Sequence, residues 1–190
     1  MKIGLFFGSF NPIHTGHLII ASTILNESDL DKVWFVVSPQ NPFKTQATLL
    51  HEFDRLDLVR LAIHNDDRLE ACDIEFTMPK PSYTVDTLVY LKEKYPSYTF
   101  QLIMGEDNLT HFHKWKNHQE ILNQFEVCVY PRPTSNETVF HNHPKVKLIQ
   151  ASMTDISATY IRKCVQEGKS IQYLVPDEVR IQIEAKKFFE

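Results

Sequence analysis

Two histidines, His14 and His17, stand three residues apart in the run Gly8-Ser9-Phe10-Asn11-Pro12-Ile13-His14-Thr15-Gly16-His17. A spacing of three puts both imidazoles on one side of a helical turn. The first backbone N–H groups of such a helix have no partners within it and attract anions. Gly16, between the two rings, leaves a side chain off that surface, so a bulky ligand can come close to the backbone. The chemistry expected is capture of phosphate by imidazoles. Two plainer readings stand beside it: the histidines cap the helix, or they bind a metal, which would require further Cys, His or carboxylate ligands at suitable spacing. The remaining H-x-H pairs, His111/His113 and His141/His143, lie in polar surroundings and read as solvated loop residues.

A second constellation lies late in the chain, at Asp155-Ile156-Ser157-Ala158-Thr159-Tyr160-Ile161-Arg162. Ser157 is a natural N-cap, and a helix starting there points its dipole at an anion. Arg162, a little over one turn further on, adds a cation with a forked set of donors. Taken alone, the segment also fits an ordinary capped surface helix.

The elements that must position these residues follow from hydrophobic period. Strands are expected at Lys2–Phe7, Val33–Ser38, Leu69–Ile74, Thr99–Met104, Glu126–Tyr130 and Val146–Gln150, where β-branched and aromatic residues run together. Helical spacing marks Gly16–Leu25, Leu49–His64, Thr84–Lys94, Gln119–Phe125, Ala158–Glu167 and Pro176–Lys187. Gly168 provides a left-handed stop for the helix that Ser157 starts. Pro39–Thr48 and Arg132–Pro144 are polar and rich in Pro, Asn or Thr, hence loops. The alternation of strand and helix predicts an α/β fold: a Rossmann-like open parallel sheet with helices on both faces and a C-terminal helical segment. In such sheets ligands bind beyond the carboxyl ends of the strands, near the point where strand order reverses. No repeat or linker divides the chain, so residues 1–190 are expected to form a single domain.

Composition narrows the function. The 190 residues are 43% hydrophobic and 23% charged with net charge −4, so no basic excess points to nucleic acid. The five glycines, at 4, 8, 16, 105 and 168, are too scattered for a dinucleotide fingerprint or a Walker loop. No stretch is long and apolar enough to span a bilayer, and residues 1–10 lack a signal-peptide cleavage site. The three cysteines, Cys72, Cys128 and Cys164, form no C-x-x-C pair and fit a reducing compartment. A cytoplasmic protein that does not act at a membrane is the expectation.

Read together, H-x-G-H after a first strand and I-S-x-T-x-x-R at a late helix resemble the nucleotidylyltransferase superfamily. Over nearly the whole chain the likeness is to its bacterial nicotinate mononucleotide adenylyltransferases. Pro39-Gln40-Asn41-Pro42-Phe43-Lys44 is similar to the family's N-P-x-K loop, and Pro81-Ser82-Tyr83-Thr84-Val85-Asp86-Thr87 to its P-S-Y-T-x-D-T segment. Gly105-Glu106-Asp107-Asn108 with Trp115 matches its G-x-D…W stretch.

The resemblance implies transfer of the adenylyl group of ATP to nicotinate mononucleotide, with Mg2+ carried by the ATP phosphates and no metal held by the protein. It implies catalytic roles for His14, His17, Lys44 and Arg162. ATP contacts would come from Gly8, Ser9, Phe10, His17, Gly105, Asp107, Ser157, Thr159 and Arg162, with Tyr83, Thr84 and Trp115 at the nicotinate half. Two positions depart from the pattern. Asn11 replaces a frequent Asp, which changes a loop hydrogen bond. Lys116 follows Trp115 where an aromatic is common, and reads as a solvated lysine or a partner for the substrate carboxylate.

Because the attacking group would be a phosphate with a second pKa of about 6, no general base is expected. A protonated histidine donating to phosphate would make the rate fall on the alkaline side. Related transferases acting on pantetheine phosphate, nicotinamide mononucleotide or a polyol phosphate remain alternatives, as does a nucleotide sensor without turnover. A class I aminoacyl-tRNA synthetase shares the first motif, but the chain has no K-M-S-K-S-like loop. Oligomeric state is not legible from these residues.

Overall fold

The computed structural model describes residues 1–39, 49–133, 137–151 and 154–190. Six strands form one parallel sheet: β1 (Lys2–Gly8), β2 (Lys32–Val37), β3 (Leu69–Cys72), β4 (Thr99–Gly105), β5 (Glu126–Tyr130) and β6 (Val146–Leu148). Their spatial order is β3-β2-β1-β4-β5-β6, so the direction of winding reverses between β1 and β4. Phe6 of β1 is level with Phe35 of β2 and Ile103 of β4, which brings the ends of these three strands together.

Alternation along the strands feeds two cores. On one face, Phe6, Phe35 and Cys128 pack under α1 (Thr15–Glu27), α2 (Glu52–Ile63), α6 (Ala158–Gln166) and α7 (Asp177–Lys186). On the other, Ile3, Leu5, Trp34 and Leu102 meet α3 (Thr84–Lys94), α4 (Glu106–Thr110) and α5 (His118–Gln124) through residues such as Leu88, Leu109 and Ile121. Burying apolar side chains on both faces is what makes these strands read as continuous apolar runs. The expected architecture is therefore the one observed, and the matching helix at Thr84–Lys94 has the expected ends.

Helix α6 is punctuated as its sequence predicts. The Ser157 hydroxyl accepts from the Tyr160 N–H at 3.2 Å. At the other end Gly168 (φ 65°) donates to the Val165 carbonyl and Lys169 to that of Cys164, the paired bonds of a Schellman stop.

Other expectations needed revision. β3 ends at Cys72 instead of Ile74, because a 3-10 turn at Ile74–Thr77 takes over and carries Glu75 into the interior. β6 stops at Leu148. The segment expected as the loop Arg132–Pro144 holds a 3-10 turn at Val139–Asn142, capped by the Thr138 hydroxyl. The five-residue α4 carries too few apolar residues to show a period. Of the loop expected at Pro39–Thr48, residues 40–48, Lys44 included, lie outside the described residues. Among the described residues no helix is long and apolar enough to cross a membrane.

Candidate functional site

The reversal point between β1 and β4 gathers most of the predicted residues. Phe10, just beyond β1, takes a left-handed backbone (φ 44°), and its ring folds back over Gly8. A Cβ on Gly8 would stand 2.7 Å from that ring, so only glycine permits the fold-back. The Phe10 side chain is therefore core, packed edge-on against Phe6, Phe35 and His17, while the backbone of Gly8-Ser9-Phe10 rims the strand end.

His14 occupies the N-cap of α1 and His17 its first turn. Their rings stack at 3.7 Å, and the His14 backbone N–H donates to His17 Nδ1 at 3.2 Å. With Nδ1 acting as acceptor, neutral His17 carries its proton on Nε2. His14 is only 7% exposed, and its Nδ1 has no hydrogen-bond partner among the described residues. Burial, with a smaller contribution from the positive charge of Arg132, pushes its pKa down to about 4. His14 is thus neutral at physiological pH, and a donor role falls to its neutral ring N–H.

Gly16 has a reason the sequence did not show. A Cβ there would lie 2.8 Å from the Thr154 hydroxyl and 3.1 Å from His14 Nδ1. The glycine makes room for these two side chains.

Arg162 bridges α6 to the same loop. Its Nη1 donates to the Asn11 carbonyl at 2.8 Å, and its Nη2 to the Thr159 hydroxyl at 3.3 Å. Burial lowers its pKa. The N-terminus of α6, with Ser157 and Thr159 exposed, therefore lies close to the N-terminus of α1. The Asn11 side-chain oxygen accepts the Leu50 N–H at 3.1 Å, a loop hydrogen bond that an Asp carboxylate could accept as well.

On the β4 side, Gly105 is the N-cap of α4 and Asp107 lies one residue into the helix. The exposed Asp107 carboxylate is 3.9 Å from Arg132 Nε, and Arg132 stacks over the Tyr130 ring at 5.2 Å. Arg132 thus faces both His14 and Asp107. Sequence reading placed it in a loop and missed it.

His141 is a second correction. Its side chain is buried, its Nε2 is 2.9 Å from Glu106 Oε1, and Glu106 Oε2 also accepts the Arg132 N–H at 3.3 Å. These bonds dock the segment after β5 onto α4. His111 and His113 are exposed, as expected.

The residues expected at the nicotinate half lie at and near the start of α3. Tyr83 is its exposed N-cap and Thr84 its first residue. Lys116 Nζ lies 4.5 Å over the Tyr83 ring and 2.8 Å from the Asp86 carboxylate, so the expected solvated lysine has two partners. Trp115 is half-buried and packs edge-on against Phe112 at 5.4 Å, serving the core with one edge.

The cytidylyltransferase-like family model matches residues 5–164, which include both imidazoles and Arg162. Full-length relatives carry a more specific name. The protein named "Probable nicotinate-nucleotide adenylyltransferase" of Cytophaga hutchinsonii is 57% identical over 189 residues, covering 100% of this chain and 98% of its own. One of the same name from Flavobacterium psychrophilum is 50% identical and covers all of both chains. The chain belongs to this adenylyltransferase family. Among solved structures, the Plasmodium falciparum nicotinic acid mononucleotide adenylyltransferase complexed with NaAD superposes with TM-score 0.84 at 20% identity, covering 99% of this chain and 97% of that one. That likeness supports the fold.

Two buried charges of this adenylyltransferase-family chain went unnoticed in its sequence. Arg55 is fully buried on α2, and Glu75 is 2% exposed below the start of α3. The available signals were an Arg three and four residues before Leu58 and Val59, on the apolar face of the helix, and a Glu between Ile74 and Phe76.

Proposed function

We propose that the chain transfers the adenylyl group of ATP to nicotinate mononucleotide, giving nicotinate adenine dinucleotide and pyrophosphate on the route to NAD. The observation that carries this reading is the convergence of the H-x-G-H turn, Arg162 and the start of α6 at the β1/β4 reversal point, in a chain whose full-length relatives bear that name.

A 5′-phosphate oxygen of nicotinate mononucleotide attacks the α-phosphorus of ATP. The new O–Pα bond forms as the Pα–O–Pβ bond breaks, and the electron pair leaves with pyrophosphate. With a second pKa of about 6, the attacking phosphate is largely dianionic near neutrality. Catalysis then consists of aligning the two phosphates and stabilising charge on the bridging and terminal oxygens.

His14 and His17 offer ring N–H donors, His17 from Nε2, and Arg162 supplies the fixed cation. The first amides of α1 and α6 add partial positive charge. Lys44 is assigned to the same phosphates from the family's N-P-x-K loop. The backbone of Gly8, Ser9 and Phe10 lines the α-phosphate, Gly105 and Asp107 take the adenosine ribose, and Ser157 and Thr159 complete the triphosphate end. Tyr83, Thr84 and Trp115 receive the nicotinate nucleotide, with its carboxylate at the α3 amides and its ring on the indole.

Magnesium enters as part of the substrate, MgATP. Among the described residues no group of three metal-ligating side chains stands together, and the triphosphate supplies its own oxygens. The chain works as one domain, in the cytoplasm.

The test is pyrophosphate release from MgATP with nicotinate mononucleotide, nicotinamide mononucleotide and pantetheine phosphate supplied separately. Strong preference for the nicotinate nucleotide is expected. Preference for another acceptor overturns the substrate assignment, and ATP binding without turnover on any of them favours a sensor.

A further inference from the structure

Arg55 extends from α2 to the ends of β1 and β2. Its Nη1 donates to the Ser9 carbonyl at 2.6 Å and to the Ser38 carbonyl at 2.8 Å. Its Nη2 donates to Pro39 O, and its Nε to Leu50 O, both at 3.0 Å. Ser9 adjoins the phosphate end of the site. Glu75 performs the matching task on the acceptor side. Its Oε2 accepts the Ser82 hydroxyl and its Oε1 the Thr87 hydroxyl, both at 2.8 Å, which clamps Tyr83-Thr84 from either flank. The Ser38 carbonyl is held by Arg55, and its hydroxyl lies on the Glu75 side, where it helps keep that carboxyl's pKa down against burial. Ser38 thus lies between the two charges, with Ser9 held by Arg55 on one side and Ser82 and Thr87 held by Glu75 on the other.

We propose that Arg55 and Glu75 are positioning residues that hold the ATP half and the acceptor half of the site in register. Neither reaches a substrate. Each is a charge that an apolar residue of similar volume would replace without the cost of desolvation. What an apolar residue lacks is direction. The planar guanidinium fixes four loop carbonyls relative to one another, and the carboxylate fixes two hydroxyls across the start of α3. In-line transfer between two separately bound phosphates depends on that registration, since a displacement of about 1 Å can cost about 100-fold in rate.

This inference rests on the two-substrate reading above, and steady-state kinetics test it. Wild type, Glu75→Gln, Thr87→Val and Arg55→Lys are compared with whichever acceptor phosphate the wild type uses. Glu75→Gln is expected to raise the acceptor KM about tenfold and to change the ATP KM less than about twofold. Thr87→Val, which removes one hydroxyl, shifts the acceptor KM in the same direction by less. Arg55→Lys gives the reverse pattern, with the ATP KM affected more. Equal shifts in both KM values, or none, in variants that melt cooperatively would overturn the proposal in favour of a purely structural role. If the charge variants do not fold, Thr87→Val and Ser82→Ala decide alone: an unchanged acceptor KM refutes the clamp, and a selective rise supports it. Use of an acceptor other than nicotinate mononucleotide would overturn the functional reading while leaving the KM split to judge this one.

Discussion

The two halves of the site are built differently. At the phosphate end, His14 is buried, His17 packs on Phe10 and His14, and Arg162 is tied to a loop carbonyl. At the acceptor end, Tyr83 is exposed, and Lys116 and Asp86 pair in solvent with side chains 43% and 45% exposed. Glu75 supports that end from beneath. The phosphate end is preformed, as electrostatic stabilisation of the α-phosphate in the proposed adenylyl transfer requires. The acceptor end leaves polar groups in water until a substrate covers them. On the proposed assignment, chemistry resides in the rigid half and substrate choice in the softer one.

Removing a preformed donor breaks the comparison most severely. His17→Ala is expected to lower kcat/KM about 100- to 1000-fold, the range seen when one charge-stabilising donor is lost, as measured by pyrophosphate release.

Acid stability is a smaller and more specific consequence of the buried half. The His14 pKa is lowered on folding from 6.5 to about 4, so between these values the unfolded chain binds more protons than the folded one. Stability is fully present above about pH 6.5 and is lost as pH falls toward 4, by at most about 3 kcal/mol. Denaturant melts of wild type across this window should show that slope, and His14→Gln should flatten it. An unchanged slope would place the loss in other groups.

The softer half should respond least. An exposed ion pair is worth under about 1 kcal/mol, so Lys116→Met is expected to change the acceptor KM less than about fivefold and to leave the ATP KM unaltered. A larger rise would show that Lys116 itself meets the substrate carboxylate.

The sequence revealed the periodic parts of this molecule and hid the irregular ones. Strand and helix order followed from hydrophobic period, and Ser157 with Gly168 marked the start of α6 to the residue and its end to within one, because caps act locally. β3 was overextended because Ile74 continues an apolar run, although a 3-10 turn rotates Glu75 inward at that point. His141 looked solvated because its partner, Glu106, is 35 residues away. Arg55 escaped notice for the same reason: its bonds go to backbone carbonyls on other segments, which no side-chain pattern records. The phosphate-end motif was visible because His14, Gly16 and His17 lie within one turn. The role of Gly16 was only half visible, since Thr154 comes from the far end of the chain.

The division of labour is tested most directly by measuring both KM values for Arg162→Lys and Trp115→Ala side by side. The account predicts that Arg162→Lys impairs kcat and the use of ATP, because a lysine cannot reproduce the forked contacts, while Trp115→Ala raises the acceptor KM about tenfold with kcat nearly retained. If Trp115→Ala instead impaired ATP use as much as acceptor use, or Arg162→Lys acted mainly on the acceptor, the separation of chemistry from substrate choice would be wrong.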